Sequence, residues 1–275
     1  MLLATLQGVK FQQLCSINKM EQFLKSKGMK EKSIKTYMSV INRVKKGLGV
    51  KFTQEQLEDY LATLNLKPSS YNLYRAVMNF YTEKYLGYKI TFSKAKKNNF
   101  LPIEVTREEF DNFLSVIPNK KHKLGFKLMY ESGLRVSEVI NLKKYDLNFE
   151  KLTVRIRGKG EKDRYSILPE NISEELKDFT KGIEGNIFTN QNNGKKLTIK
   201  TFQERLKKAK LDSKITKDFT CHSLRHGFAI NWVNDGLDIE ILRRVLGHSS
   251  LKTTQIYLKC RTIDLTKIAK RVIKK

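Results

Sequence analysis

The chain has 275 residues, enough for two domains that each bury a core. Its 54 lysines and arginines outnumber 28 acidic residues, and the net charge of +26 is shared almost equally by residues 1–102 and the remainder. A lysine-rich surface serving solubility alone would carry matching glutamate, and no run reaches the about 18 apolar residues of a membrane span, so the balance implies a soluble protein whose two halves contact a polyanion such as nucleic acid.

Met1 to Leu14 is mildly apolar but interrupted by Gln7, Lys10, Gln12 and Gln13, and lacks the pattern of a signal peptide. We read 1–16 as an extension ahead of a four-helix domain at 17–91. Met20, Phe23 and Leu24 form a first stripe ending at Gly28. Ser33 offers an N-cap for a second helix facing inward through Ile34, Tyr37, Ile41 and Val44, before Gly47 and Gly49. Thr53-Gln54-Glu55-Gln56 spells a capping box ahead of Leu57, Tyr60 and Leu61. Ser69 or Ser70 opens a fourth helix with Tyr74, Val77, Met78 and Tyr81 inward, ending near Gly87. Tyrosines on these stripes read as core rather than as base-stacking groups. Residues 92–102 read as a linker whose Lys94, Lys96 and Lys97 are placed to lie along a DNA backbone, adding salt-dependent affinity without reading sequence; a solvated charged linker is the plain alternative.

The second domain, 103–275, opens on another capping box, Thr106 to Glu109, leading into Phe110, Phe113, Leu114 and Ile117. A helix through Leu124, Phe126, Leu128 and Met129 ends at Gly133, and Arg135 starts the next, Val136 to Leu142. A guanidinium at a helix start can join backbone N–H groups in holding a phosphate; taken alone, Arg135 reads rather as a surface or salt-bridged arginine, paired with Glu138, and only the rest of the set turns the reading to phosphate. Leu152 to Arg157 and Tyr165 to Leu168 alternate as strands around a hairpin turn, Gly158 to Asp163. Helices follow from about Ser173 and Thr201, with a polar turn at Asn190 to Gly194.

Thr220 to Tyr257 concentrates the chemistry. It holds three of the four histidines. His222 and Arg225 stand at i and i+3, on one face of a helix anchored by Ala229, Ile230, Trp232 and Val233. Gly236 stops that helix; Ile239, Ile241, Leu242 and Val245 begin another, and Gly247 as its C-cap fixes His248 at the end of a rigid element. Imidazoles, guanidinium and phenol together can bind a phosphate and carry out proton transfer and nucleophilic attack on it. Cys15, Cys221 and Cys260 show no paired spacing, which indicates a reducing compartment, and Cys221 beside His222 lacks the second cluster that a metal site needs. We expect no metal and no cofactor.

His-x-x-Arg at 222–225, Leu-Gly-His at 246–248 and a tyrosine nine residues later resemble the C-terminal signature of the tyrosine recombinases, the Xer and phage-integrase family. Gly133-Leu134-Arg135-Val136-Ser137-Glu138 resembles that family's first-arginine motif, and Gly158-Lys159-Gly160 with Lys162 and Arg164 its β-hairpin lysine motif. The resemblance implies a mainly α fold with a small β-sheet: an N-terminal four-helix SAM-like core-binding domain and a C-terminal α+β catalytic domain. It implies that Arg135 and Arg225 neutralise the non-bridging oxygens of one DNA phosphate, that His222 and His248 donate to them, and that His222 accepts the proton of Tyr257. Tyr257 then attacks and is held as a 3′-phosphotyrosyl ester, while Lys159 protonates the departing 5′ oxygen. Lys162 rivals Lys159, and only the family pattern prefers the latter; Lys162 and Arg164 are placed as DNA contacts of the hairpin. His226 reads as structural and His122 as a plain exposed residue. Beyond Tyr257, Leu265, Ile268 and Val272 recur at helical spacing and would dock on a neighbouring protomer, as in the family's synaptic tetramer, or on their own domain.

The expected function is site-specific recombination of double-stranded DNA, with the protein in the cytoplasm at the nucleoid. A simple Xer-like chain for chromosome or plasmid dimer resolution is preferred over an integrase of a virus, plasmid or other mobile element. A type IB topoisomerase and a non-catalytic DNA-binding protein on the same scaffold also fit the residue pattern, less well.

Overall fold

A computed structural model describes residues 17–96, 101–158 and 163–260. The chain forms two units, Met1–Asn99 and Phe100–Lys275. Lys97, Lys159, Lys162 and the apolar positions Leu265, Ile268 and Val272 lie outside the described residues.

In the first unit α1 (Ile17–Ser26), α2 (Glu31–Leu48), α3 (Gln54–Thr63) and α4 (Pro68–Tyr81) follow one another, and α4 runs on through a π turn at Thr82–Leu86. Their stripes meet in one core, including Met20, Leu24, Ile41, Val44, Leu57, Leu61, Val77 and Tyr81. Thr53 and Gln56 form the reciprocal capping box: the Gln56 N–H donates to Thr53 Oγ1 (3.2 Å) and the Thr53 N–H to Gln56 Oε1 (2.9 Å). Two helix starts differ from expectation. Helix α2 begins after Lys30, so Ser33 sits inside its first turn; α4 begins at Pro68, whose fixed φ and missing N–H suit the first helical position, ahead of both serines. The segment expected to be a free linker is partly packed. Phe92 is buried in the same core, and the Asn72 amide exchanges two hydrogen bonds with the backbone of Ala95, at 3.0 and 3.1 Å. Lys94 and Lys96 stay exposed on that strap.

The second unit contains α5 (Arg107–Ser115), α6 (Lys120–Glu131), α7 (Val136–Val139), β1 (Leu147–Asn148), β2 (Thr153–Ile156), β3 (Arg164–Ile167), α8 (Glu170–Phe179), α9 (Ile199–Asp212), α10 (Cys221–Asn234), α11 (Ile239–Leu246) and α12 (Leu251–Thr254), then a 3₁₀ turn, Gln255–Cys260. The strands form an antiparallel sheet in the order β1-β2-β3, with Val154 opposite Ser166. Two residues long, β1 is too short to leave a periodic signal, and the sequence does not reveal it. The helix after Arg135 is also shorter than expected, because the chain turns at Ile140 to bridge Lys143 to Asn186.

Helix α10 is apolar on most sides and lies at the centre of this unit. It packs along α6 so closely that a Cβ on Gly227 would stand 2.6 Å from the Tyr130 ring. Phe113, Phe126, Phe202 and Phe219 interlock edge to face beside it. The fold is therefore mainly α with a small sheet. Among the described residues no helix is long and apolar enough to cross a membrane.

Candidate active site

Thr220 caps α10 by accepting from the N–H groups of His222 (3.2 Å) and Ser223 (3.4 Å), which fixes the helix start and hence the direction of its first turn. His222, Arg225 and His226 then share one face. Arg225 is 1% exposed. Its Nη1 donates to the Gly133 carbonyl (2.6 Å) and its Nη2 to the Leu246 carbonyl (2.5 Å), with His248 Nε2 at 3.4 Å. One guanidinium thus ties together the loop before Arg135, helix α10 and the end of α11. Gly247 makes the last contact possible: at φ 64° and ψ 43° it turns the end of α11 so that the Leu246 carbonyl and His248 both face Arg225. His248 is held from its other side by Thr254, with Nδ1 and Oγ1 at 2.9 Å.

Arg135 belongs to the same cluster through Glu138. The Glu138 carboxylate accepts from the Arg135 N–H (2.7 Å) and Nη1 (2.8 Å), and from Arg164 Nη1 (2.9 Å) and Nη2 (2.8 Å). Arg225 Nη1 stands 3.8 Å away. Arg164 completes its set by donating Nε to the Val245 carbonyl at 2.9 Å. The Arg164 side chain, expected at a DNA backbone, is 14% exposed, and its donors are engaged inside the protein, where they brace Glu138. Glu138 is the residue that sequence reasoning undervalued; its place three residues after Arg135 was visible, its second and third cations were not.

Tyr257 is 3% exposed, and its hydroxyl lies 2.8 Å from His226 Nδ1. His222 was expected to be its partner. That ring instead stacks edge-on against His226, with centroids 4.4 Å apart, and remains exposed toward Arg135 and Arg225. The 222–226 helical turn makes the choice: the residue at i+4 points to the segment where Tyr257 sits.

The electrostatics follow from gathering cations in a partly dry place. Burial, with the Arg225 and Arg135 charges behind it, pushes His248 down to about 4. Burial and the neighbouring His222, Arg225 and His248 bring His226 to about 4. Both imidazoles are neutral at pH 7. Arg225 is lowered to about 9 by burial and by Arg135, which leaves it charged at neutral pH. Burial raises the Tyr257 phenol, and Arg225 and Arg135 offset only part of that. Glu138 stays below the usual carboxylate range: burial would raise it, but hydrogen bonds from Arg164 and Arg135 and the Arg225 charge prevail. With phenol and His226 both neutral, the arrangement that releases the tyrosine proton is the one in which the hydroxyl donates to Nδ1.

The sequence profile described as the phage integrase family matches residues 104–262, the span that holds this whole cluster. The chain belongs to the phage integrase family. This tyrosine recombinase is 34% identical to tyrosine recombinase XerA of Thermococcus onnurineus over 91% of this chain and 93% of that protein. It is also 34% identical to tyrosine recombinase XerD of Oceanobacillus iheyensis, over 59% of each chain. In fold it is similar to XerH site-specific recombinase bound to palindromic difH substrate in a post-cleavage complex, with a TM-score of 0.75 at 23% identity over 94% of this chain and 85% of that one. Enzymes of this family cleave and rejoin DNA through a phosphotyrosine intermediate without metal ions.

Proposed function

We propose that this tyrosine recombinase exchanges strands between two specific double-stranded DNA sites, in the manner of an Xer enzyme, as a tetramer acting on DNA at the nucleoid. The observation that supports the reading is the continuous contact chain from Arg135 through Glu138, Arg225 and His248, with Tyr257 on His226 beside it. In the proposed cycle Arg135, Arg225, His222 and His248 surround one backbone phosphate. As charge builds on its non-bridging oxygens, these donors stabilise it in a site that Glu138 and Arg164 hold rigid beforehand. Tyr257 Oη forms a bond to phosphorus while the bond to the 5′ oxygen breaks. The phenolic proton passes to His226 Nδ1, and Lys159, on the hairpin, supplies a proton to the 5′ oxygen. The 3′-phosphotyrosyl ester conserves the bond energy until a 5′ hydroxyl from the partner strand reverses the step.

Mapping the DNA that the protein occupies, then placing two copies of that site on one plasmid, tests the reading. Deletion or inversion between the copies is the expected outcome. Relaxation of an unmarked supercoiled plasmid at the same rate would identify a topoisomerase instead, and binding without cleavage of a nicked suicide substrate would identify a DNA-binding protein with no catalytic step.

A further inference from the structure

The second unit buries its imidazoles in different ways. His122, expected to be exposed, is 7% exposed and lies edge-on to Phe202 at 5.7 Å, with neither ring nitrogen paired among the described residues. Burial alone therefore does not explain why His248 has a polar group at each nitrogen, Thr254 Oγ1 at 2.9 Å from Nδ1 and Arg225 Nη2 at 3.4 Å from Nε2. The His248 backbone is held separately. Arg243 donates Nη1 to its carbonyl (2.7 Å) while gripping Glu240 through Nε (2.8 Å) and Nη2 (2.6 Å). What Thr254 fixes is the ring.

Thr254 ends α12 and is 0% exposed, and among the described residues its hydroxyl has no other hydrogen-bond partner. Thr82 and Thr180, fully buried in helical turns as well, each donate to the carbonyl four residues back, at 3.0 and 2.7 Å. Thr254 departs from that habit, so the acceptor for its hydrogen is His248 Nδ1. Were the imidazole hydrogen on Nδ1, the threonine would accept it, and its own buried O–H would have nowhere to donate. At the other nitrogen, Arg225 Nη2 donates to the Leu246 carbonyl at 2.5 Å and stands 3.4 Å from Nε2, outside the about 2.7–3.2 Å of an ordinary hydrogen bond. Nε2 is thus free to carry the hydrogen. Burial and the surrounding cations hold His248 at about 4, so at pH 7 the neutral ring has one N–H to give.

We propose that Thr254 is a positioning residue: its hydroxyl donates to His248 Nδ1 and so keeps the imidazole hydrogen on Nε2, the nitrogen that faces Arg225 and the phosphate. This rests on the recombinase reading, in which His248 donates to a non-bridging oxygen. A neutral ring with its hydrogen on Nδ1 would turn a lone pair toward that oxygen and repel it. Thr254 precedes Tyr257 by three residues, so the same hydrogen bond ties the nucleophile's segment to the ring. Seating that segment and preparing His248 to hold phosphate become one event.

The test uses the full chain with ¹⁵N-labelled histidine rings, whose shifts and couplings tell which nitrogen of His248 bears the hydrogen at pH 7; His248→Gln assigns the signal. The expected result is Nε2–H in the native protein and in Thr254→Ser, and a mixture of tautomers in Thr254→Val, which keeps the shape without the hydroxyl. The rate of covalent adduct formation on a nicked duplex should fall by about tenfold or more in Thr254→Val and return in Thr254→Ser. Hydrogen on Nδ1 in the native protein overturns the proposal, whether or not the valine variant folds. An unchanged tautomer or an unchanged adduct rate in Thr254→Val overturns it too. A native protein that forms no adduct contradicts the recombinase reading instead, and the tautomer still reports the threonine's donation by itself.

Discussion

At the scale of single residues, the chemistry-bearing types were legible and their partners were not. His222, Arg225, His248 and Tyr257 stand at spacings that a helix and a capped turn bring together. That Arg164 turns inward to Glu138 depends on a contact 26 residues away in sequence and on a carbonyl 81 residues away. The choice of His226 over His222 for Tyr257 depends likewise on where the segment after α12 packs. If Arg164 positions Arg135 through Glu138, Arg164→Ala will lower the rate of covalent adduct formation by about 10²-fold, the cost of slight misplacement of a catalytic group. Arg164→Lys will restore little, because an ammonium cannot reproduce the two parallel bonds to the carboxylate. Full adduct formation in Arg164→Ala would remove Arg164 from the positioning role. The buried imidazoles give a pH signature as well. His226 and His248 are held at about 4 against an ordinary 6.5. As pH falls below that ordinary value the unfolded chain takes up protons first, so stability is intact above it and is lost on the way down to about 4. The loss is about 1–2 kcal/mol for each histidine once partial exposure is allowed for, and thermal melts at pH 7 and pH 5 will show it as a lower Tm at pH 5.

At the scale of elements, capping chemistry carried most of the reading. The boxes at Thr53 and Thr106 form as spelled, since the hydroxyl and the residue three on satisfy one another's backbone donors. Serines at 33, 69 and 70 misled because Lys30 and Pro68 already permit a start one turn or less earlier. Helix α11 is the element whose end matters most for the site. Gly247 lies at φ 64°, and a Cβ there would stand 2.6 Å from Arg164 Cδ. Gly247→Ala therefore adds left-handed strain of about 1–2 kcal/mol and displaces the guanidinium that holds Glu138. It should lower both Tm and adduct formation, whereas Gly182→Ala, with the same left-handed φ but open space around it, should lower Tm alone. Equal effects on adduct formation would show that the turn has no part in the site.

At the scale of the whole molecule, composition pointed to the partner and the family motifs to the reaction. The two cores share no residue, one built on Tyr81 and Met78 and the other on the phenylalanines around α10, and the excess of 54 basic over 28 acidic residues is spread over both. Binding through many phosphate contacts releases counterions, so affinity for a duplex should fall by about 10³-fold or more between 50 and 200 mM salt; a flat response would contradict the polyanion reading of the charge. The central claim is that Arg135, His222, Arg225 and His248 present one DNA phosphate to Tyr257. Trapping the protein on a nicked duplex and mapping the DNA-linked peptide by mass spectrometry tests it directly. The account predicts the adduct on Tyr257, and its complete loss in Tyr257→Phe with duplex binding retained; a link to another residue, or an adduct that survives the substitution, would contradict it.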